Sequence, residues 1–399
     1  MNRSTKIPGH ILPVIVISQF CCTSLWFAGN GVINDLVVQF NLQESALGHL
    51  TSAVQFGFIT GTLIFALLTI ADRFSPSLVF LICAIIGSIC NIGIGLTQNT
   101  FLSLLVLRFG TGFFLAGIYP VGMKIAADYY ERRLGKSLGF LVGALVLGTA
   151  FPHLLKAFTV ALPWRWVVGA TSLIAIGGGL LMYLCVPNGP FRHPSSGLDL
   201  TAIFRVFKDQ KFRSPAFGYF GHMWELYAFW AFVPVILTWC AERLNGTAIN
   251  VPLWSFLIIG VGGVSCVIGG FLSLKFGARR IAFLSMLLSG ICCLCSPWVF
   301  HLDAAWIVLL FLIFWGMVVI SDSPLFSTLV AQNAPLEIKG TALTIVNCIG
   351  FAITIFSIQL LTVLIEWMDT AYLFLPLAMG PILGLTALVK SNESDKQLS

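Results

Sequence analysis

Three ionisable residues interrupt otherwise apolar runs: Arg108 in L-V-L-R-F-G-T-G-F, Glu225 in G-H-M-W-E-L-Y-A-F-W and Asp322 in I-S-D-S-P-L. A charge in such surroundings costs free energy unless it is paired, wetted or neutralised, so these positions are where chemistry is expected. The Arg108 guanidinium could bridge neighbouring helices, modulate a proton site, or grip a carboxylate through two parallel hydrogen bonds. His222 lies three residues before Glu225 and shares a helical face with it. Desolvation of the Glu225 carboxyl would push its proton affinity toward neutral pH, which suits a group loaded on one side and emptied on the other. The same pair also reads as a structural hydrogen bond, or as a direct contact to a solute. Asp322 stands just before Pro324, whose missing N–H frees backbone groups, so a gate or helix-end role is expected there ahead of a coupling role.

Around these charges, Trp26, Asn30, Tyr119, Trp224, Tyr227 and Trp230 are the residues expected to wall a cavity, since aromatic faces with few polar groups suit small organic solutes. His49 and His153 fall near helix ends and read as interfacial or hydrogen-bonded groups, not as relays.

The elements that must hold these residues follow from composition. The chain has 399 residues, 58% hydrophobic and 10% charged, with mean hydropathy +0.94. An ordinary soluble domain carries about 25% charged residues. A bilayer core needs about 20 apolar residues per crossing, so twelve crossings take most of this length. Because lipid offers backbone groups no partner and the runs far exceed barrel strands, the crossings must be helices. They are expected near 11–33, 46–71, 78–97, 101–123, 137–158, 166–187, 215–239, 253–274, 281–301, 304–327, 340–363 and 370–389. The first run is too long for a signal peptide and is expected to stay as a crossing. The eleven cysteines fall almost entirely within apolar runs, where a thiol acts as a small hydrophobe; neither disulfide nor metal site is expected.

Placing the N-terminus in the cytoplasm leaves only Lys156, Arg165 and Arg243 outside and Arg108 within the membrane, among 22 Lys and Arg. That bias sets the orientation, with both termini cytoplasmic. The polar stretch from Pro187 to Ser214, with a basic, amphipathic segment around Leu200 to Lys211, reads as a linker. The expected organisation is a bundle over 1–189, a cytoplasmic linker over 190–214, and a second bundle with a short tail over 215–399.

The halves share an internal repeat. L-T-I-A-D-R-F-S-P-S from Leu68 corresponds to G-F-L-S-L-K-F-G-A-R from Gly270; Tyr119-Pro120 corresponds to Ser323-Pro324; and G-K-S-L-G from Gly135 corresponds to G-T-A-L-T from Gly340. At these residues the chain resembles the major facilitator superfamily, whose loop after the second helix reads approximately G-x-L-A-D-R-x-G-R-K. The first copy keeps Asp72 and Arg73; the second keeps Gly270, Gly277, Arg279 and Arg280. Arg108 and Gly112 resemble the family's R-x-x-x-G element in helix four, and D-Y-Y-E-R-R-L-G from Asp128 with W-R-W from Trp164 adds a third match.

The resemblance implies an all-α polytopic membrane protein of twelve transmembrane helices in two pseudo-symmetric six-helix bundles, working by alternating access to a site near the midplane. It implies gating by Asp72, Arg73, Arg279 and Arg280, with Asp322 at an inner gate. Small residues in helix five (Gly139, Gly143, Gly148) and helix eight (Gly260, Gly262, Gly263, Gly269, Gly270) would let backbones approach. The combined expectation is a monomeric secondary transporter of the plasma (bacterial inner) membrane, without cofactor or nucleic-acid partner. Its cargo is expected to be a small organic, possibly anionic solute coupled to protons through Glu225 and His222. Arg108, Trp26, Asn30, Tyr119, Trp224 and Tyr227 are the expected solute contacts. The alternative is a proton-driven exporter of a hydrophobic or zwitterionic metabolite or drug. Glycine-poor T-I-V-N-C-I-G-F-A-I-T from Thr344 disfavours nitrate, and G-T-A-F-P-H-L-L from Gly148 weakens drug antiport of the G-P-x-x-G-G type. An enzyme would need a nucleophile, metal pair or phosphate loop, and the sequence offers none of these motifs.

Overall fold

The computed structural model describes residues 7–130, 134–159, 162–192, 206–244, 249–335 and 339–397. Every regular element among them is helical. Eleven helices are long and apolar enough to cross a membrane, and we number them by order as spans 2 to 12: Ala46–Leu67, Pro76–Gly93, Phe101–Tyr129, Ser137–Phe158, Arg165–Cys185, Gln210–Arg243, Val251–Phe276, Ala278–Phe300, Ala305–Asn333, Lys339–Leu364 and Thr370–Val389. Span 1 is composite. Its helix Ile11–Thr23 is too short to cross alone, and the chain continues through turns, a 3-10 segment at Asn30–Val32 and a further helix at Ile33–Phe40.

That break corrects the single helix expected over 11–33, and part of its cause is local. The hydroxyls of Thr23 and Ser24 donate back to the carbonyls of Gln19 and Cys21 at 2.8 and 2.7 Å, competing with the regular ladder. Gly29 and Gly31 then supply little helix propensity. Spans 4 and 10 break at corresponding places, between Leu115 and Tyr119 and at Asp322, each just ahead of a proline that opens the next helical piece. The matched loops of the repeat fold differently. The first turns at Thr69 (φ 50°), whereas the second runs on to Phe276 and turns at Gly277 (φ 88°), where the missing Cβ makes the left-handed backbone inexpensive.

The helix pairings repeat from half to half. Spans 1–5, 1–6, 2–4, 3–4 and 3–6 pack together, and so do 7–11, 7–12, 8–10, 9–10 and 9–12. The halves meet along two seams, span 5 against span 8 and span 2 against span 11. At the first seam, a Cβ on Gly143 or on Gly263 would lie 3.0 Å from the other's carbonyl oxygen, tighter than ordinary contact, so glycine at both places lets the two backbones approach this closely without displacement. At the second, Gln359 donates to the Ser52 hydroxyl at 2.7 Å. Span 7 begins at Gln210, inside the stretch expected as linker; the first half of the expected amphipathic segment, 200–205, lies outside the described residues.

Candidate functional site: a vestibule, an aromatic seal and buried charges

A cavity of about 740 Å³ opens between the halves on the face that carries Asp35 and Lys156. Spans 1, 2 and 5 line one side of it and spans 7, 8 and 11 the other. Asn30 is on its wall and donates to the Thr51 hydroxyl at 2.8 Å. Lys156 meets Asp35 at 2.6 Å, and Glu44 and Glu242 are exposed in the same cavity. His153, three residues before Lys156, also lines it; the ring is 3% exposed and its Nε2 has no partner. Sequence reasoning had set His153 aside, because nothing local reveals that its helix end faces a cavity.

Deeper along the same helices the path is closed by aromatic rings from both halves. Trp26 stacks on Phe351 (centroids 5.6 Å apart) and packs against Phe58 and Tyr227, while Phe27 meets Trp230 edge-on at 6.3 Å. All six rings are buried. Trp26 donates to Gln55 Oε1 at 3.2 Å, which leaves Gln55 Nε2 and Trp230 Nε1 without partners. Trp26 and Tyr227 were anticipated from sequence, but Phe58, Phe351 and Gln55 were not. Helices apolar all round carry no periodic signal of which face looks inward.

One expected wall residue lies elsewhere. Trp224 donates its indole N–H to the Pro376 carbonyl at 3.3 Å and packs against Gly380 of span 12, so it supports its own half instead of lining the path. Tyr119 begins the second piece of span 4, and its buried hydroxyl lies near Tyr219 and Tyr227 of span 7 and Cys266 of span 8, across the boundary between the halves.

Arg108 is buried, and its fork is already used. One terminal nitrogen donates to the Leu25 carbonyl at 3.2 Å and the other to the Trp26 carbonyl, while Nε has no partner. These carbonyls belong to the broken stretch of span 1. The guanidinium thus satisfies acceptors that an unbroken helix would satisfy itself, and it fixes the segment that carries Trp26 and Phe27.

The second half carries its buried charges differently. Glu225 Oε1 accepts from the Ser289 hydroxyl, from Trp315 Nε1 at 2.7 Å and from the Cys293 thiol at 3.4 Å, which ties span 7 to spans 9 and 10. His222 does not bond Glu225. Its Nδ1 lies 2.8 Å from Asp322 Oδ1 at the break of span 10, as a close charge contact without hydrogen-bond alignment, and its Nε2 is unpartnered. The expected His222 to Glu225 contact fails because three residues leave about 60° between side chains on a helix, enough for each to meet a different neighbour. Asp322 accordingly sits at a helix end within the second half, buried and beside His222.

On the opposite face, Lys124 meets Asp72 at 2.8 Å and Asp128 at 3.7 Å, and Arg192 donates to the Asp72 and Phe74 carbonyls, both at 2.8 Å. Arg73 only reaches the Thr69 hydroxyl of its own turn, at 3.0 Å. Of the second copy, Arg279 donates to the Leu388 carbonyl within its half and Arg280 is exposed. Among the described residues these contacts of Arg73 and Arg279 stay within their own halves. A cavity of about 180 Å³ lies on this face, between Asp72, Lys124, Pro120 and Gly340.

The sequence matches the family model described as Major Facilitator Superfamily over residues 15–358. The chain belongs to that superfamily. It is an integral membrane transporter, not an enzyme. Among solved structures, the superfamily's proton:xylose symporter XylE bound to 6-bromo-6-deoxy-D-glucose aligns with TM-score 0.73 at 15% identity, over 95% of this chain and 94% of that one. XylE from E. coli in a partially occluded inward-open conformation aligns with TM-score 0.74 at 15% identity, over 95% and 96%. At that identity the likeness is one of superfamily fold. No curated protein sequence gives a match.

Proposed function

We propose that the chain is a monomeric, proton-coupled secondary transporter that moves a small organic solute by alternating access. On this reading residues 1–189 and 215–399 are the two rocking bundles, 190–214 is the cytoplasmic linker, and both termini are cytoplasmic in a bacterial inner membrane. The Asp35 face is then the outer one. The observation that carries the reading is the pairing of a solute-sized vestibule, lined by both halves, with a floor of aromatic rings drawn from both halves. Rings that meet across two bundles can part only if the bundles move, which is what alternating access requires.

Glu225, with the His222–Asp322 pair, is the proton-handling group. A carboxyl in a dry helix bundle, surrounded by hydroxyl, thiol and indole donors, can be held in either protonation state at modest cost. The Arg108 fork is occupied by main-chain carbonyls, so it no longer argues for an anionic cargo. Counterflow in proteoliposomes across a panel of carboxylic acids, amino acids and cationic drugs tests the reading. We expect exchange of one chemical class, with Glu225→Gln abolishing proton-driven accumulation while sparing exchange. Unchanged pH dependence in that variant would remove Glu225 from the role, and folded protein that exchanges no member of the panel would contradict the reading.

A further inference from the structure

The vestibule has a charge that the reading above does not use. Among its lining residues Asp35, Glu44 and Glu242 face one cation, Lys156, and that ammonium is already held by Asp35. The other basic residues of this face are turned to other partners: Arg165 donates to the Gly95 carbonyl at 2.7 Å, and Arg243 meets Asp303 at 2.9 Å. A cleft with one sign of charge and low-dielectric walls focuses its field and concentrates ligands of the opposite sign.

A second, independent observation lies deeper in the same cavity. His153 is almost completely buried on its wall with Nε2 unpartnered, and a buried imidazole nitrogen without a partner is rare unless something else fills the place. A neutral imidazole nitrogen can accept from an N–H donor. Beneath this level lie the rings of Trp26, Tyr227 and Trp230, whose electron-rich faces attract cations.

From the acidic mouth, the unpartnered imidazole and the aromatic floor we propose that the vestibule is a binding site for a small organic ammonium ion, and that the transported solute is of this class. The proposal rests on the transport reading for the second clause only. Glu44 and Glu242 draw the cation in, the His153 imidazole accepts one of its N–H groups, Asp35 neutralises it in competition with Lys156, and the aromatic seal receives its apolar body.

Three probes matched in shape test the charge class on the full chain in detergent: 1-naphthylmethylamine, 1-naphthalenemethanol and 1-naphthoate. We expect saturable binding of the amine, about tenfold tighter than the alcohol, and none of the carboxylate. The double substitution Glu44→Gln with Glu242→Gln alters only exposed groups and should weaken amine binding about tenfold at low salt, with the difference shrinking as salt screens the mouth. H153F, which keeps a ring but removes the nitrogens, should also weaken the amine. Naphthoate binding as well as the amine, equal affinities for amine and alcohol, no saturable amine binding, or indifference to the carboxylate substitutions would each overturn the proposal. Proteoliposomes separate it from the transport reading. Movement of naphthoate instead of the amine overturns the charge class and leaves transport standing, whereas selective amine binding without movement overturns transport and leaves the site.

Discussion

The two halves repeat each other's helix pairings yet use their buried charges in opposite ways. In the first half the buried cation Arg108 is committed to the carbonyls of Leu25 and Trp26 and so holds a broken helix in shape. In the second half the acids Glu225 and Asp322 are held by side chains, with donors from spans 9 and 10 around one and His222 beside the other. A guanidinium keeps its charge throughout the physiological range and suits a permanent clasp. Carboxyl and imidazole groups can change protonation state and suit a reversible load. Pseudo-symmetry of fold therefore does not carry over to symmetry of role: one half is built to hold the seal, the other to titrate.

The largest effect is expected at the clasp. Arg108→Lys keeps the charge, but a single ammonium cannot reproduce the planar fork that caps two carbonyls. Loss of such charge-assisted bonds costs about 2 kcal/mol. Both exchange and net transport should fall to background, with lower thermal stability in detergent. Arg108→Lys with normal exchange and only a defect in proton-driven transport would erase the contrast between the halves.

A smaller, selective effect is expected at Asp322. Asp322→Asn keeps the shape beside His222 while removing the acid, so exchange should survive while proton-driven accumulation falls; His222→Gln should act in the same direction. Loss of exchange in both variants, with intact folding, would make the pair structural and bring the halves closer in role.

The smallest effect belongs to the opposite face. Lys124 and Asp72 are partly solvated, with side chains 24% and 15% exposed, and partly exposed ion pairs contribute about 0–1 kcal/mol. Lys124→Gln should change exchange rates modestly and leave thermal stability within a few degrees. A collapse of activity would show that this contact, and not the aromatic seal, is the main barrier.

Which parts of this were legible in the sequence follows from what kind of signal each feature leaves. Twelve crossings were readable because hydrophobic length is a direct record of bilayer thickness, and the repeat was readable because Pro120 and Pro324 punctuate both halves alike. Arg108, Glu225 and Asp322 stood out because charge is rare in such runs. What each one touches was hidden: Ser289, Cys293 and Trp315 come from other spans, and nothing in the sequence pairs those spans with Glu225. The break in span 1 was missed because its cause is partly remote, in an arginine 82 residues from Trp26 along the chain. Trp224 was assigned by residue type and His153 by its place near a helix end, and neither says whether a side chain looks toward its own half or toward the cleft.

The central claim is that the second half carries the titrating groups while Arg108 is fixed. Infrared difference spectra of the full-length protein, titrated between about pH 5 and 9, test it without knowledge of the cargo. The account predicts a protonated-carboxyl C=O band that titrates in the wild-type chain, persists in Arg108→Lys, and is lost in Glu225→Gln. A band unchanged by the Glu225 substitution, or no titrating carboxyl at all, would contradict it.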